Sequence, residues 1–282
     1  MNKVSFGGEW SVRRAYLVGR NTFLEAVRLK LFYALMLMSL FALGSSFLLK
    51  EFNFGSSELK FIADFGFGGL TFFGSVMAVV LTAQLFFGEL EHRTAITLLA
   101  KPMRRSEFIV GKFLGVGLGL FCFVAAILSS LVLALWVRET SLAALYPESF
   151  GDGFGIRYFD LLGFGILQVI RLAMLSSLVM LFASYATSSL FSIVMGMMVW
   201  LIGQLQYLAS SSIGQIESAF VGGLLKVLSL MIPNFHLFDL GDRIALGEVI
   251  VAADFLWIAA YGSLYSLFYI SLAALSFRYR EL

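Results

Sequence analysis

FLGVGLGLFCFVAAILSSLVLALW, Phe113 to Trp136, is a run of twenty-four residues without one charge. A helix rises about 1.5 Å per residue, so the run reaches about 36 Å, more than the roughly 30 Å hydrocarbon thickness of a bilayer. Water is absent there, and every backbone N–H and C=O must be satisfied within the segment, which predicts an α-helix. A membrane β-barrel needs short alternating segments instead. Outward from this run, five more stretches meet the same length criterion: roughly Leu31–Leu49, Gly69–Gly88, Leu161–Ala183, Leu190–Leu208 and Phe255–Phe277. The expected fold is all-α, a polytopic membrane protein with six transmembrane helices.

Composition agrees. Of 282 residues, 60% are hydrophobic and 13% charged, with a mean hydropathy of +0.90. Soluble domains carry about 25% charged residues. No polar stretch is long enough for a separate soluble domain, so residues 1–282 read as one membrane domain. The single cysteine, Cys122, excludes an intrachain disulfide and a cysteine zinc cluster. A formal charge of +2 offers no nucleic-acid footprint. The first apolar run begins near Leu31, after a long polar segment and without a small-residue cleavage site, so a retained span is expected rather than a cleaved signal.

Lys and Arg placement sets the orientation. If the N-terminus, the 88–112 and 184–189 loops and the C-terminus share one side, that side holds thirteen basic residues against six opposite. Acidic residues run the other way, six against twelve. Both termini are expected in the cytoplasm.

Two segments are neither spans nor simple loops. In Glu9–Lys30, Val12, Tyr16, Phe23 and Val27 fall on one helical face and Arg14, Asn21, Glu25 and Arg28 opposite, with Arg13 and Arg20 at the flanks. This predicts an interfacial helix leading into the first span. Ala219–Ile232 is apolar, holds Lys226 and ends at Pro233. At fourteen residues it is too short to span and is expected to be re-entrant or interfacial on the outer side. The polar Asp239–Arg243 that follows reads as an outer turn.

The loop FGELEHRTAITLLAKPMRRSEFIVGK, Phe87 to Lys112, carries the functional signal. From Glu89, a helical wheel puts His92, Ala95, Ile96 and Leu99 on one side and Arg93, Thr94, Thr97 and Lys101 on the other. Pro102 breaks the run. Ser106 is placed to cap the next helix, with Glu107 in its first turn. A short amphipathic helix over 89–101 is therefore expected, followed by a basic elbow at Arg104 and Arg105.

The pattern of an acidic pair, "RT", "LL", "P-x-x-R" and "GK" resembles the permease subunits of ABC transporters of the type-2 class, nearest the copper-enzyme-maturation and gliding-motility branch. Glu89, Glu91, Arg93, Thr94, Leu98, Leu99, Pro102, Arg105, Gly111 and Lys112 carry it, and "MIPNFHLFDL", Met231 to Leu240, resembles the segment before that family's last span. The resemblance implies that 89–101 is a coupling helix docking on a separate ATP-binding-cassette subunit. It also implies a second permease copy or paralogue, a place in the bacterial inner membrane, and export as the direction. Glu89, Glu91 and Arg93 would position the helix, Ile96, Leu98 and Leu99 would present the apolar contact, Thr94 and Pro102 belong to the same partner-coupling segment, and Arg104, Arg105 and Lys112 would anchor the elbow to partner or lipid. No G-x-x-x-x-G-K-[ST] loop occurs, so this chain is expected to be no enzyme and to bind no cofactor, with ATP and Mg held by the partner. A membrane scaffold that binds partners without transport is the competing class.

Three other features stand out. Arg171 is the one ionisable residue near the middle of a span, a candidate intramembrane polar site unless it snorkels to the outer surface. Gly111, Gly115 and Gly119 recur every four residues, a helix-packing face within the subunit or at a dimer seam. Glu89, Glu91 and His92 lack further ligands nearby and suggest no metal.

Overall fold

The computed structural model describes residues 10–49, 58–91, 104–145, 158–213, 231–245, 248 and 251–279. Its elements in order are α1 (Val12–Arg28), α2 (Lys30–Leu49), α3 (Glu58–Glu91), α4 (Arg105–Leu145), α5 (Tyr158–Tyr185), α6 (Ser189–Ile213), a 3-10 turn (Phe235–Phe238), α7 (Gly241–Ala245) and α8 (Ala252–Tyr279). The described residues contain no strand. Six helices, α2 to α6 and α8, are long and apolar enough to cross a membrane.

Each helix outruns the apolar stretch that predicts it. α4 has 41 residues and α3 has 34. Hydropathy detects only the hydrocarbon-spanning part, while polar contacts carry the helices further. At one end Arg138 Nε of α4 donates to Glu58 of α3 at 2.8 Å, and the Tyr158 hydroxyl of α5 donates to Glu139 of α4.

α3 and α5 form the centre of the bundle, each 67% buried over its most apolar stretch, against 28% for α2 and α6 and 33% for α8. The outer helices therefore turn most of their apolar surface outward, as a bilayer requires. Gly74 lets α3 approach α5 and α4: a Cβ there would stand 3.1 Å from Leu172 Cδ1 and 3.4 Å from Phe123 Cε1.

α1 is docked on protein by its small residues. Ala15, Gly19, Thr22 and Ala26 are its buried positions, and they meet Gly111, Gly115 and Gly119 of α4 in the same order along the chain. The two helices thus run side by side in parallel. A Cβ on Gly115 would lie 2.5 Å from Gly19 O, and one on Gly111 2.7 Å from Ala15 O, so backbone meets backbone. Val12, Tyr16 and Leu24 face away. Leu29 is extended (φ −67°, ψ 131°) and separates α1 from α2.

The segment ahead of α8 wedges into the bundle. Phe235 and Phe238 are fully buried, and Leu240 and Ile244 nearly so. Gly203 of α6 admits it: a Cβ there would strike Phe235 at 2.5 Å and Pro233 O at 2.6 Å. Gly262 of α8 would strike Phe238 at 2.8 Å, and Gly241 sits against Phe67 of α3. Asp239–Arg243 is thus no simple outer turn, because α7 and its flanks pack on α3. The 219–232 segment lies outside the described residues except for Met231 and Ile232.

Candidate functional site

Four helix ends converge where the 88–112 loop leaves and re-enters the bundle, the starts of α1 and α4 and the ends of α3 and α8. Glu107, in the first turn of α4, is fully buried. Its Oε1 accepts from Ser11 N at 2.7 Å and Arg14 Nη2 at 2.8 Å, and its Oε2 from Arg14 Nε at 2.9 Å and Arg104 N at 3.2 Å. One carboxylate therefore ties the start of α1 to the start of α4 and caps α4 from its own first turn. The hydrogen bond to Glu107, acting against burial, holds the Arg14 guanidinium above its ordinary pKa. α4 begins at Arg105, one residue ahead of Ser106, so the N-cap expected at Ser106 is replaced by this arrangement.

Arg105 ties in α8. Its Nη1 donates to Phe277 O at 3.0 Å and Arg278 O at 3.1 Å, the carbonyls that α8 leaves open at its C-terminal end. The guanidinium also stands 5.9 Å from the Phe277 ring centroid. Phe277 stacks on Phe108 at 5.7 Å, and Phe86 of α3 meets both edge-on.

Lys112 ties in α3. It is fully buried, donates to Leu85 O at 2.7 Å and reaches Glu25 of α1 at 4.0 Å. The expectation that Lys112 anchors the elbow to partner or lipid is therefore corrected: the ammonium is spent inside the chain, on α3 and α1. Arg105 likewise has its bonds on α8, while the Arg104 side of the elbow is exposed.

The other coupling residues are placed only in part. Glu89 and Glu91 close α3. Arg93, Thr94, Ile96, Leu98, Leu99 and Pro102 lie outside the described residues. Gly111, Gly115 and Gly119 pack within the subunit, against α1.

Arg171 forms a second polar centre. It lies about 20 Å along α5 from Tyr158 and is fully buried, so it does not snorkel to a surface. Nη2 donates to Gln204 Oε1 of α6 at 2.8 Å and Nη1 to Gln168 Oε1 at 3.3 Å. Gln168 Nε2 in turn donates to Phe238 O at 3.2 Å in the wedged turn. From α8, Tyr261 Oη accepts from Asn234 N at 2.9 Å and Tyr269 Oη donates to Met231 O at 2.5 Å.

Sequence reasoning missed Arg14, Glu25, Glu107 and Gln168 as partners. A carboxylate in the opening turn of a span and a glutamine one turn before a buried arginine are the signals that mark them.

Comparison with individually curated proteins finds no match. Residues 20–278, nearly the whole chain, match the family model described as ABC-2 family transporter protein. The bundle of six apolar helices and this match place the chain in the ABC-2 transporter family, as a membrane permease of the ABC-transporter kind.

Proposed function

We propose that this permease exports its substrate across the bacterial inner membrane, driven by a separate ATP-binding-cassette subunit that docks on residues 89–101. Both termini face the cytoplasm, and two permease copies or paralogues flank the path. The chain itself is no enzyme and holds no cofactor, while ATP and Mg sit in the partner. Within the family, the nearest branch is that of the copper-enzyme-maturation and gliding-motility permeases.

One observation carries the reading. Both roots of the loop are clamped to the rest of the bundle, through Lys112 on Leu85 O, Arg105 on α8 and Glu107 on α1. A push delivered to 89–101 passes directly to α3 and α4, and through these bonds to α1 and α8. Glu89, Glu91 and Arg93 orient the docking helix. Ile96, Leu98 and Leu99 give the partner an apolar contact worth roughly 1.5–3 kcal/mol per large side chain buried. Arg104 supplies charge at the rim.

Co-expression with candidate ATP-binding-cassette subunits tests this. The wild-type chain is expected to co-purify with one and support ATP hydrolysis, and Leu98→Asp with Leu99→Asp is expected to abolish both. A double variant that keeps complex and ATPase removes the docking assignment. A wild-type complex without substrate-dependent ATPase supports a scaffold instead.

A further inference from the structure

Among the described residues, two buried N–H donors on facing helices have no acceptor. Arg171 Nε of α5 and Trp200 Nε1 of α6 make no hydrogen bond to any described residue; Arg171 is fully buried and Trp200 is 8% exposed. Buried donors are nearly always paired, so each is an exception that calls for a partner.

The two share one level of the bundle. Trp200 and Gln204 are one helical turn apart on α6, and Gln204 Oε1 accepts from Arg171 at 2.8 Å. Trp200 meets Phe72 of α3 with ring centroids 6.0 Å apart, and two residues on, Gly74 abuts Leu172, the neighbour of Arg171. From the other end, Gln204 is about 22 Å from Ser189, and Arg171 about 21 Å from Tyr185.

The seam holds one buried positive charge, Arg171, and two N–H donors without an acceptor among the described residues. A guanidinium offers five N–H groups and an indole one, and neither accepts. Among the described residues no ion pair closes on Arg171. Asp239 attracts it from the wedged turn without forming one.

We propose that the α5–α6 seam receives an anionic, oxygen-rich group, a phosphate or carboxylate, on the unpartnered N–H donors of Arg171 and Trp200. This rests on the reading of the chain as a permease, since the anion is a group in transit through the bundle. The seam is closed in this structure. Gly203, next to Gln204, carries the wedged turn through Phe235 and Pro233, so withdrawal of that turn uncovers the Gln204 side of the seam. A guanidinium on one helix and an indole N–H on the facing helix bind phosphate oxygens by hydrogen bonds, the former charge-assisted, and reject a neutral, donor-only group.

Trp200 is its own reporter. With the exposed Trp10, Trp136 and Trp257 changed to Phe, the full chain is placed in phosphatidylcholine nanodiscs. One arm adds phosphatidic acid to the lipid; the other titrates inorganic phosphate into the buffer. A saturable change in Trp200 emission in either arm is expected, the first assigning a lipid headgroup and the second a small anion. Arg171→Gln is expected to abolish the change, and Arg171→Lys, which keeps the charge but has no Nε–H donor, to weaken it. Silence in both arms, or an unchanged response in Arg171→Gln, overturns the proposal. Should Arg171→Gln fail to fold, Gln204→Met keeps the charge and frees Nη2. It is expected to reach half-saturation at an equal or lower anion concentration, and loss of the response there overturns the proposal. The permease is measured without its partner, so failure here leaves the docking test intact, and failure of docking leaves this result intact.

Discussion

Arg14 and Glu107 stand 93 residues apart in the chain and meet in a two-pronged ion pair, Nε to Oε2 at 2.9 Å and Nη2 to Oε1 at 2.8 Å. The carboxylate is fully enclosed while a third of the Arg14 side chain is exposed. The two partners are therefore unequal. Removing Arg14 leaves Glu107 with the backbone N–H groups of Ser11 and Arg104, whereas removing Glu107 takes an acceptor from Arg14, Ser11 N and Arg104 N together.

Glu107→Gln is accordingly expected to lower the thermal unfolding midpoint more than Arg14→Gln. The double variant is expected to cost less than the sum of the two, because the second change removes a group that has already lost its partner. Unfolding of the four proteins in nanodiscs measures this. Strict additivity means that the pair contributes nothing to holding α1.

The contact between α1 and α4 makes a sharper steric prediction. Gly115→Ala sets a methyl 2.5 Å from Gly19 O and from Thr22 Cβ. Neither is the far end of a flexible chain, so α1 must shift. Overpacking of this kind costs about 1–3 kcal/mol. Gly117 lies two residues away with nothing within 4 Å of its Cβ position, and Gly117→Ala is expected to be neutral or slightly stabilising. Equal effects at the two positions, measured by thermal unfolding, rule out the close approach.

Lys112 separates the inside of the loop root from its outside. Its ammonium donates to Leu85 O within the bundle and reaches Glu25, so Lys112→Met keeps the length and the apolar stem and loses the hydrogen bond to Leu85 O, about 1 kcal/mol, together with the approach to Glu25. Co-purification with the ATP-binding partner is expected to persist in Lys112→Met and to fail in the Leu98→Asp, Leu99→Asp variant. Loss of the partner in Lys112→Met alone means that the lysine turns outward in the complex.

The six spans were legible because hydrocarbon imposes a length and a polarity that no other constraint mimics. The helix ends were not. Lys60 and Asp64 close the apolar run ahead of Gly69, yet α3 starts at Glu58, held by a cross-helix pair with Arg138 that no local pattern encodes. Gly111, Gly115 and Gly119 announce a close contact, but a small-residue stripe is silent about its partner. That partner is another small stripe, Ala15, Gly19, Thr22 and Ala26, set in a helix whose apolar Val12 and Tyr16 attract more notice. Arg14 reads as part of a solvated face because its carboxylate lies 93 residues away. Residues 239–243 read as a polar turn because Asp239, Asp242 and Arg243 punctuate them, although their neighbours Phe235, Phe238 and Ile244 are what bury.

That wedged turn carries the last prediction. Gly203 of α6 lies under Phe235 and Pro233 O, with Cβ distances of 2.5 and 2.6 Å, and Gly262 of α8 lies under Phe238. Gly203→Val places three carbons where the turn sits, and a ring and a carbonyl are both poor at yielding. The turn is expected to lift from α6, breaking the Gln168 bond to Phe238 O and the Tyr261 bond from Asn234 N. Cysteine placed at the buried Phe235 in a Cys122→Ser background reads this out. It is expected to resist a water-soluble maleimide in the parent and to react at least tenfold faster with Gly203→Val. Gly44→Val, where nothing lies within 4 Å of the Cβ position, is expected to leave the rate unchanged. Equal protection at Phe235 in all three proteins means that α6 moves aside and the turn does not.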